Sequence, residues 1–277
     1  VTDRIGIYDH RRKVGNAADV WKHLLLLTVV DHMSLEKDFG SRPFRYYESH
    51  CGRGVYLLPP KGEWGSGVGR AFPPPRPLRL HPYFRLLGPR PSPGGLYFGS
   101  WFLVAVLLQQ RGLDFRLTLC DSSPEVARHM SSMGISEATG GKVRFRNADG
   151  FSLPPEPGGW DLALIDPPYN PDHEADRRRS MALVQDLVRR GTSSLLWYPV
   201  LEGMKPDPNP PCGIVLELFW PRARDRPTPH MRGCGILVSG RISRFLLESL
   251  SSLRSLADRL KADLQVRGRE PQKKEEQ

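Results

Sequence analysis

The 277 residues carry 40 Lys and Arg against 30 Asp and Glu, a formal charge of +10, with 39% apolar and 25% charged side chains. That length and apolar share suit one large domain, and they exclude a chain that is disordered throughout or embedded in a membrane. The longest apolar stretch, Leu96 to Leu108, is interrupted by Gly99 and Ser100 and is too short to span a bilayer. The cysteines Cys51, Cys120, Cys212 and Cys234 lie far apart with no C-x-x-C pair. Neither a zinc ribbon nor a disulfide scaffold is indicated, no metal is expected, and a reducing, cytoplasmic setting is the default. The N-terminus has no signal-peptide pattern, and a start at Val1 instead of Met points to missing upstream sequence. Of the basic residues 31 are Arg, which fits phosphate recognition by guanidinium forks or codon bias.

In chain order, Ala17 to Met33 predicts a helix from apolar residues at three- and four-residue spacing, with Asn16 as its cap. Phe44 to Ser49 predicts a strand that runs into the tight glycine turn His50-Cys51-Gly52-Arg53-Gly54. From Pro59 to Pro93 the chain holds 10 of its 27 prolines and reads as an irregular insert or mobile flap. Regular patterns resume with a helix over 101–111, a strand over 116–120, a helix over 124–133 and a strand over 142–146. A buried strand over 162–165, a helix over 175–190 and strands over 194–198 and 214–219 follow. Residues 236–239 predict a last, antiparallel edge strand, and 242–264 an amphipathic helix. Strands alternating with helices predict an α/β fold with a mostly parallel, doubly wound sheet. The expected organisation is one domain over 1–264, with a proline-rich insert at 57–93, a proline-rich loop region at 199–230 and a disordered polar tail at 265–277.

The most specific motif is Asp166-Pro167-Pro168-Tyr169, directly after the apolar run that ends at Ile165. The C-terminal end of a parallel strand borders the ligand crevice, and two prolines fix an extended backbone there. The segment presents a carboxylate, a Pro167 carbonyl and the aromatic face of Tyr169. That set suits a planar exocyclic amine: two acceptors take its N–H groups and localise its lone pair, while the ring stacks on the base. The bland reading is a turn closing a buried strand. Upstream, Glu48 precedes the G-x-G of Gly52 and Gly54, where an acid can accept from a ligand's amino group. Asp121 ends a strand where ribose hydroxyls are held in nucleotide-binding folds, and Asn147-Ala148-Asp149-Gly150-Phe151 offers a similar turn to an adenine ring. Each alone reads as ordinary turn chemistry, yet four such sites after four parallel strands line one sheet edge.

Tyr8-Asp9-His10, Gly15-Asn16-Ala17-Ala18-Asp19-Val20-Trp21-Lys22-His23, Glu48 to Tyr56, Phe98-Gly99-Ser100, Asp149-Gly150-Phe151, Asp166 to Tyr169 and Leu196 to Val200 together resemble the RlmJ family. These are bacterial large-subunit rRNA adenine-N6 methyltransferases of the class I S-adenosylmethionine-dependent type. The resemblance spans most of residues 8 to 239, with weaker echoes at Leu216-Glu217-Leu218 and Met231 to Gly235. It implies a Rossmann-like fold, S-adenosylmethionine as cofactor, ribosomal RNA as partner and N6-methylation of an adenosine in 23S rRNA; a monomer is the default expectation. It also implies Asp166 as the catalytic carboxylate, with Pro167 and Tyr169 beside it. Lys22, His23, His50, Gly52, Ser100, Asp121, Asp149 and Gly150 would contact the cofactor, and Tyr8 and His10 the substrate.

The chain departs from the family's pattern at His10 to Gly15, at Cys51, Arg53 and Val55 in the glycine loop, and in the proline-rich stretch after it. Arg11 to Lys13 and Arg177 to Arg179 are ordinary solvated surface on their own, or they rim the adenosine pocket and bind RNA phosphates. Trp197 and Tyr198 read first as core. Two other readings stay open: the same chemistry on DNA adenine or a protein glutamine, and a catalytically weakened RNA-binding protein.

Overall fold

The computed structural model describes residues 13–154, 156–170, 172–203, 213–228 and 230–268. It begins with helix α1 (Ala17–Met33) and strand β1 (Phe44–Glu48), followed by a short strand β2 (Val55–Leu57) and two small helices, α2 (Val68–Ala71) and α3 (Pro82–Leu87). Strand β3 (Leu96–Phe98), helix α4 (Ser100–Gln110), strand β4 (Phe115–Cys120), helices α5 (Pro124–Ser132) and α6 (Ile135–Ala138) and strand β5 (Val143–Arg146) come next. The second half comprises β6 (Leu162–Ile165), α7 (His173–Arg189), β7 (Ser193–Leu201), β8 (Ile214–Phe219), β9 (Met231–Ser239), α8 (Ser243–Glu248), α9 (Leu250–Arg259) and β10 (Asp263–Gly268).

Eight strands form one sheet in the order β10-β8-β9-β7-β6-β1-β4-β5, and β2 and β3 form a separate hairpin. β5, β4, β1, β6 and β7 are mutually parallel, whereas β9 runs antiparallel to both β7 and β8, and β10 antiparallel to β8. The expected parallel, doubly wound α/β sheet is therefore present, with a mixed end. Two expectations at that end are corrected. β9 is a nine-residue interior strand instead of a short edge, because its Gly233 to Val238 run lets β7 and β8 pair on both sides of it. The predicted helix over 242–264 breaks into α8 and α9 and gives way to β10, so the edge strand takes in residues 263–268 and part of the expected polar tail.

Asn16 caps α1 as expected, its Oδ1 accepting from the Asp19 N–H at 3.0 Å while Asp19 accepts from the Gly15 N–H at 2.9 Å. The helix is not amphipathic, however: nearly every residue from Ala17 to Val30 is buried, Lys22 and His23 included. It lies among α3, α4 and α8. The proline-rich stretch accounts for its outer face. Far from being a mobile flap, this stretch buries Leu58, Val68, Ala71, Phe72, Leu78, Tyr83 and Phe84 in the same core as α1. His81 fastens it there, accepting from the Tyr83 N–H at 3.1 Å through Nδ1 and placing Nε2 3.0 Å from Thr28 Oγ1. Prolines supply the turns between these short helices, where a fixed φ costs nothing. Among the described residues no helix is long and apolar enough to cross a membrane.

Candidate functional site

The C-terminal ends of β1, β4, β6 and β7 and the N-terminal ends of α1 and α4 surround a cavity of about 590 Å³, a volume suited to a nucleoside-sized ligand. Six of the eight residues expected at the cofactor line it: Lys22, His23, His50, Gly52, Ser100 and Asp121. Asp166, Pro167 and Tyr169 line the same space. Tyr8, His10, Arg11 and Arg12 lie outside the described residues.

Asp166 leaves the sheet at the end of β6 and meets Lys22, whose Nζ lies 2.6 Å from its Oδ2 and 3.1 Å from Asp19 Oδ1. Burial disfavours the ammonium, but the charges and hydrogen bonds of Asp166 and Asp19 outweigh it and hold the Lys22 pKa above that of an ordinary lysine. The buried Lys22 ammonium thus ties the two carboxylates together. Among the described residues Oδ1 of Asp166 has no hydrogen-bond partner, so one carboxylate oxygen stays free to accept from a ligand. The Asp166 N–H reaches Ser49 Oγ at 3.4 Å, and the same hydroxyl lies 2.8 Å from His50 Nδ1. Burial holds the His50 imidazole below its usual pKa despite carboxylates nearby.

The glycine turn is set by its own packing. Gly52 (φ +58°) and Gly54 (φ +77°) occupy left-handed backbone, and a Cβ on Gly54 would lie 2.1 Å from the Trp101 ring. Arg53, between them, pairs with Glu125, and both line the cavity. Asp121 accepts from the Gly52 N–H at 3.0 Å and from the Ser123 N–H at 2.9 Å. Each oxygen keeps a lone pair for a ribose hydroxyl.

Other residues stand differently from expectation. Glu48 does not face a ligand: it is fully buried, accepting from Tyr46 Oη at 2.6 Å and from the Ser100 hydroxyl. Burial pushes its pKa up to about 8. Ser100 thus lines the cavity with its hydroxyl committed to Glu48. Asp149 and Gly150 do not line the cavity; Asp149 pairs with Arg179, whose guanidinium lies over the Phe151 ring at 4.2 Å, and Gly150 packs so closely on Ser49 that a Cβ would lie 1.6 Å from its carbonyl oxygen. Arg177 to Arg179 are likewise absent from the lining, whereas Lys13 belongs to it. Tyr169 has φ +51°, a buried ring stacked on His173, and a hydroxyl donating to the Trp197 carbonyl at 2.9 Å. It is a fixed wall with one face already covered.

Trp197, Asp19 and His173 also line the site; the first two fall inside stretches that carry the family resemblance, but the sequence assigns none of the three a role there. Trp197 lines the cavity with Lys22 Nζ 5.9 Å from its ring centroid. Its signal lies in strand register: Ile165 pairs with Leu196, so the next residue on each strand, Asp166 and Trp197, emerge side by side. For Asp19 the signal is its i, i+3 spacing from Lys22.

No protein-family model matches the chain. It is 27% identical over 205 residues to the ribosomal RNA large subunit methyltransferase J of Haemophilus influenzae, an alignment covering 70% of each chain. Its fold matches the crystal structure of a Legionella pneumophila protein of the DUF519 family with a TM-score of 0.67 at 20% identity, over 92% of this chain and 97% of the other. The likeness to that solved structure is one of fold, an α/β domain built on a mostly parallel sheet.

Proposed function

We propose that the chain transfers a methyl group from S-adenosylmethionine to N6 of an adenosine in 23S ribosomal RNA, acting as a cytoplasmic monomer. The observation that carries this reading is that the Asp166-Pro167-Pro168-Tyr169 segment lines one cavity together with Asp121 and Gly52. The similarity to an enzyme named for ribosomal RNA supports that substrate over DNA adenine or a protein glutamine.

The residues present fit the cofactor. Asp121 has lone pairs left for ribose hydroxyls, Gly52 brings backbone close to the cavity, and the carboxylates of Asp19 and Asp166 suit a cationic ligand. When bound, S-adenosylmethionine supplies a methyl group already activated on a sulfonium, so the protein's task is positioning. Asp166 Oδ1 and the Pro167 carbonyl accept the two N–H groups of the adenine amine, and this draws its lone pair out of conjugation. Lys22 holds Asp166 in the orientation that exposes Oδ1. Tyr169 and Trp197 wall the base pocket, and Asp166 takes the proton lost late in the transfer. Tyr8 and His10 would complete the adenosine contacts.

Mass spectrometry of digested rRNA from cells with and without the protein tests this reading. Loss of one N6-methyladenosine from 23S rRNA in the deletion strain is the expected result; an unchanged rRNA profile overturns it.

A further inference from the structure

The proline-rich stretch carries an unusual share of the molecule's charge. Residues 57–93 contain six cations and one acid, Glu63, half of the net charge of +10 in about an eighth of the chain. Glu63 is occupied by the Asn16 side chain at 3.0 Å, and Arg70 by the buried Asp225 at 3.2 Å. The other five, Lys61, Arg76, Arg79, Arg85 and Arg90, are exposed. Among the described residues none of them has an ion-pair partner, in contrast to Arg42, Arg53, Arg111 and Arg179, each held by a carboxylate.

These cations sit on a rigid support. Leu78, Tyr83 and Phe84 are buried between and beside them, and Arg259 of α9 donates to the Pro73 carbonyl at 3.0 Å. The support is also registered to the cavity. The Val68 N–H donates to the Gly15 carbonyl at 2.8 Å beside the cavity-lining Asn16, and His81 meets α1 at Thr28. Twelve residues of helix separate those two points, about 18 Å at 1.5 Å per residue. That is the span of a few nucleotides.

We propose that this arginine face docks the phosphodiester backbone of RNA flanking the target adenosine, as a second binding surface outside the methyl-transfer cavity; the identity of the partner rests on the function proposed above. Unpaired guanidinium groups on a fixed scaffold release counterions from phosphates without first breaking internal salt bridges. Residues 57–93 carry two large exposed apolar side chains, Leu57 and Leu80, too few to insert into a lipid surface.

The test compares the wild type with the combined Arg76→Ala, Arg79→Ala, Arg85→Ala and Arg90→Ala variant, and with an Arg116→Ala, Arg144→Ala control at exposed positions of the sheet. Binding to a 23S rRNA transcript is measured across a salt series. Each arginine–phosphate pairing removed lowers the slope of log K against log salt by about 0.7–0.9, so the variant should lose about 3 from the slope and at least about tenfold in affinity. The control should keep both, and S-adenosylmethionine affinity should stay unchanged. An unaltered slope overturns the proposal, as does lost binding to phosphatidylserine vesicles with RNA affinity intact. Single Arg79→Glu and Arg85→Glu changes serve if the combined variant melts early. RNA binding through this face without methyl transfer refutes the proposed activity and leaves the docking face standing; methyl transfer with an unaltered salt slope does the reverse.

Discussion

β1 and β6 are hydrogen-bonded neighbours, and each brings an acid to the same sheet edge, yet the two acids meet opposite surroundings. Glu48 shares a strand face with Tyr46 two residues earlier, receives two hydroxyl donors and is sealed from solvent. Asp166 is followed by two prolines that carry the chain out of the sheet, so its carboxylate swings to Lys22 and opens on the cavity. Burial keeps the proton on Glu48 even though its two hydroxyl donors favour the charged form, whereas Asp166 has a Lys22 ammonium against it. Position on the sheet edge therefore does not assign a carboxylate its task. The groups that reach it do.

Substitutions that exchange or erase these surroundings sharpen the contrast. The largest effect is expected at Asp166→Ala, which should lower methyl transfer by about 10²–10⁴-fold while S-adenosylmethionine affinity, read by calorimetry, stays within a few-fold. Full retained activity would refute the role given to Asp166. Lys22→Met should follow, leaving Asp19 and Asp166 without their cation. Removing one partner from a buried charge cluster costs about 3–5 kcal/mol, measurable as a lowered urea midpoint together with a loss of activity.

At Glu48 the expected effects are smaller and depend on pH. Its folded pKa of about 8 lies above the ordinary 4.5, so between these values the folded state holds a proton that the unfolded chain has released. Its contribution to stability is full below pH 4.5 and declines as pH rises towards 8. Glu48→Gln should flatten that decline in denaturant titrations, whereas Glu48→Ala should cost about 1–3 kcal/mol by stranding the Tyr46 and Ser100 hydroxyls. The smallest effect is expected at His81, whose folded pKa is lowered to about 4 by burial. Here the unfolded chain takes up the proton first, so stability falls as pH drops from 6.5 to 4. His81→Gln should remove that slope, and its persistence in the variant would assign the acid sensitivity elsewhere.

Most of the parallel sheet is legible in the sequence because buried strands and capped helices announce themselves locally. α1 matches its predicted limits, and β6 and β8 match theirs residue for residue. What the sequence hides depends on packing between distant segments. The insert reads as irregular because its helices are short and separated by prolines, and only the partner face of α1 reveals it as core. The interior place of β9 depends on pairing with β7 and β8, which no local pattern encodes. In the site, strand ends are enough to find Asp166 and Asp121. Glu48 looks the same as they do, because its two hydroxyl donors come from a neighbour on its own strand and from a helix 52 residues away. Trp197 reads as packing because an aromatic at a strand end looks alike on either side of a cavity wall.

The burial of α1 on all sides has a consequence for how the protein is made. Its partners arrive in sequence during translation: α3, then α4, and last α8 near the C-terminus. The run Leu24 to Leu27 therefore leaves the ribosome early and is sealed from water only once the final segments have followed. Until then the helix that carries Lys22 is an adhesive surface. Synthesis at reduced chaperone capacity, or truncation before residue 243, should send this chain into aggregates before it ever forms a pocket.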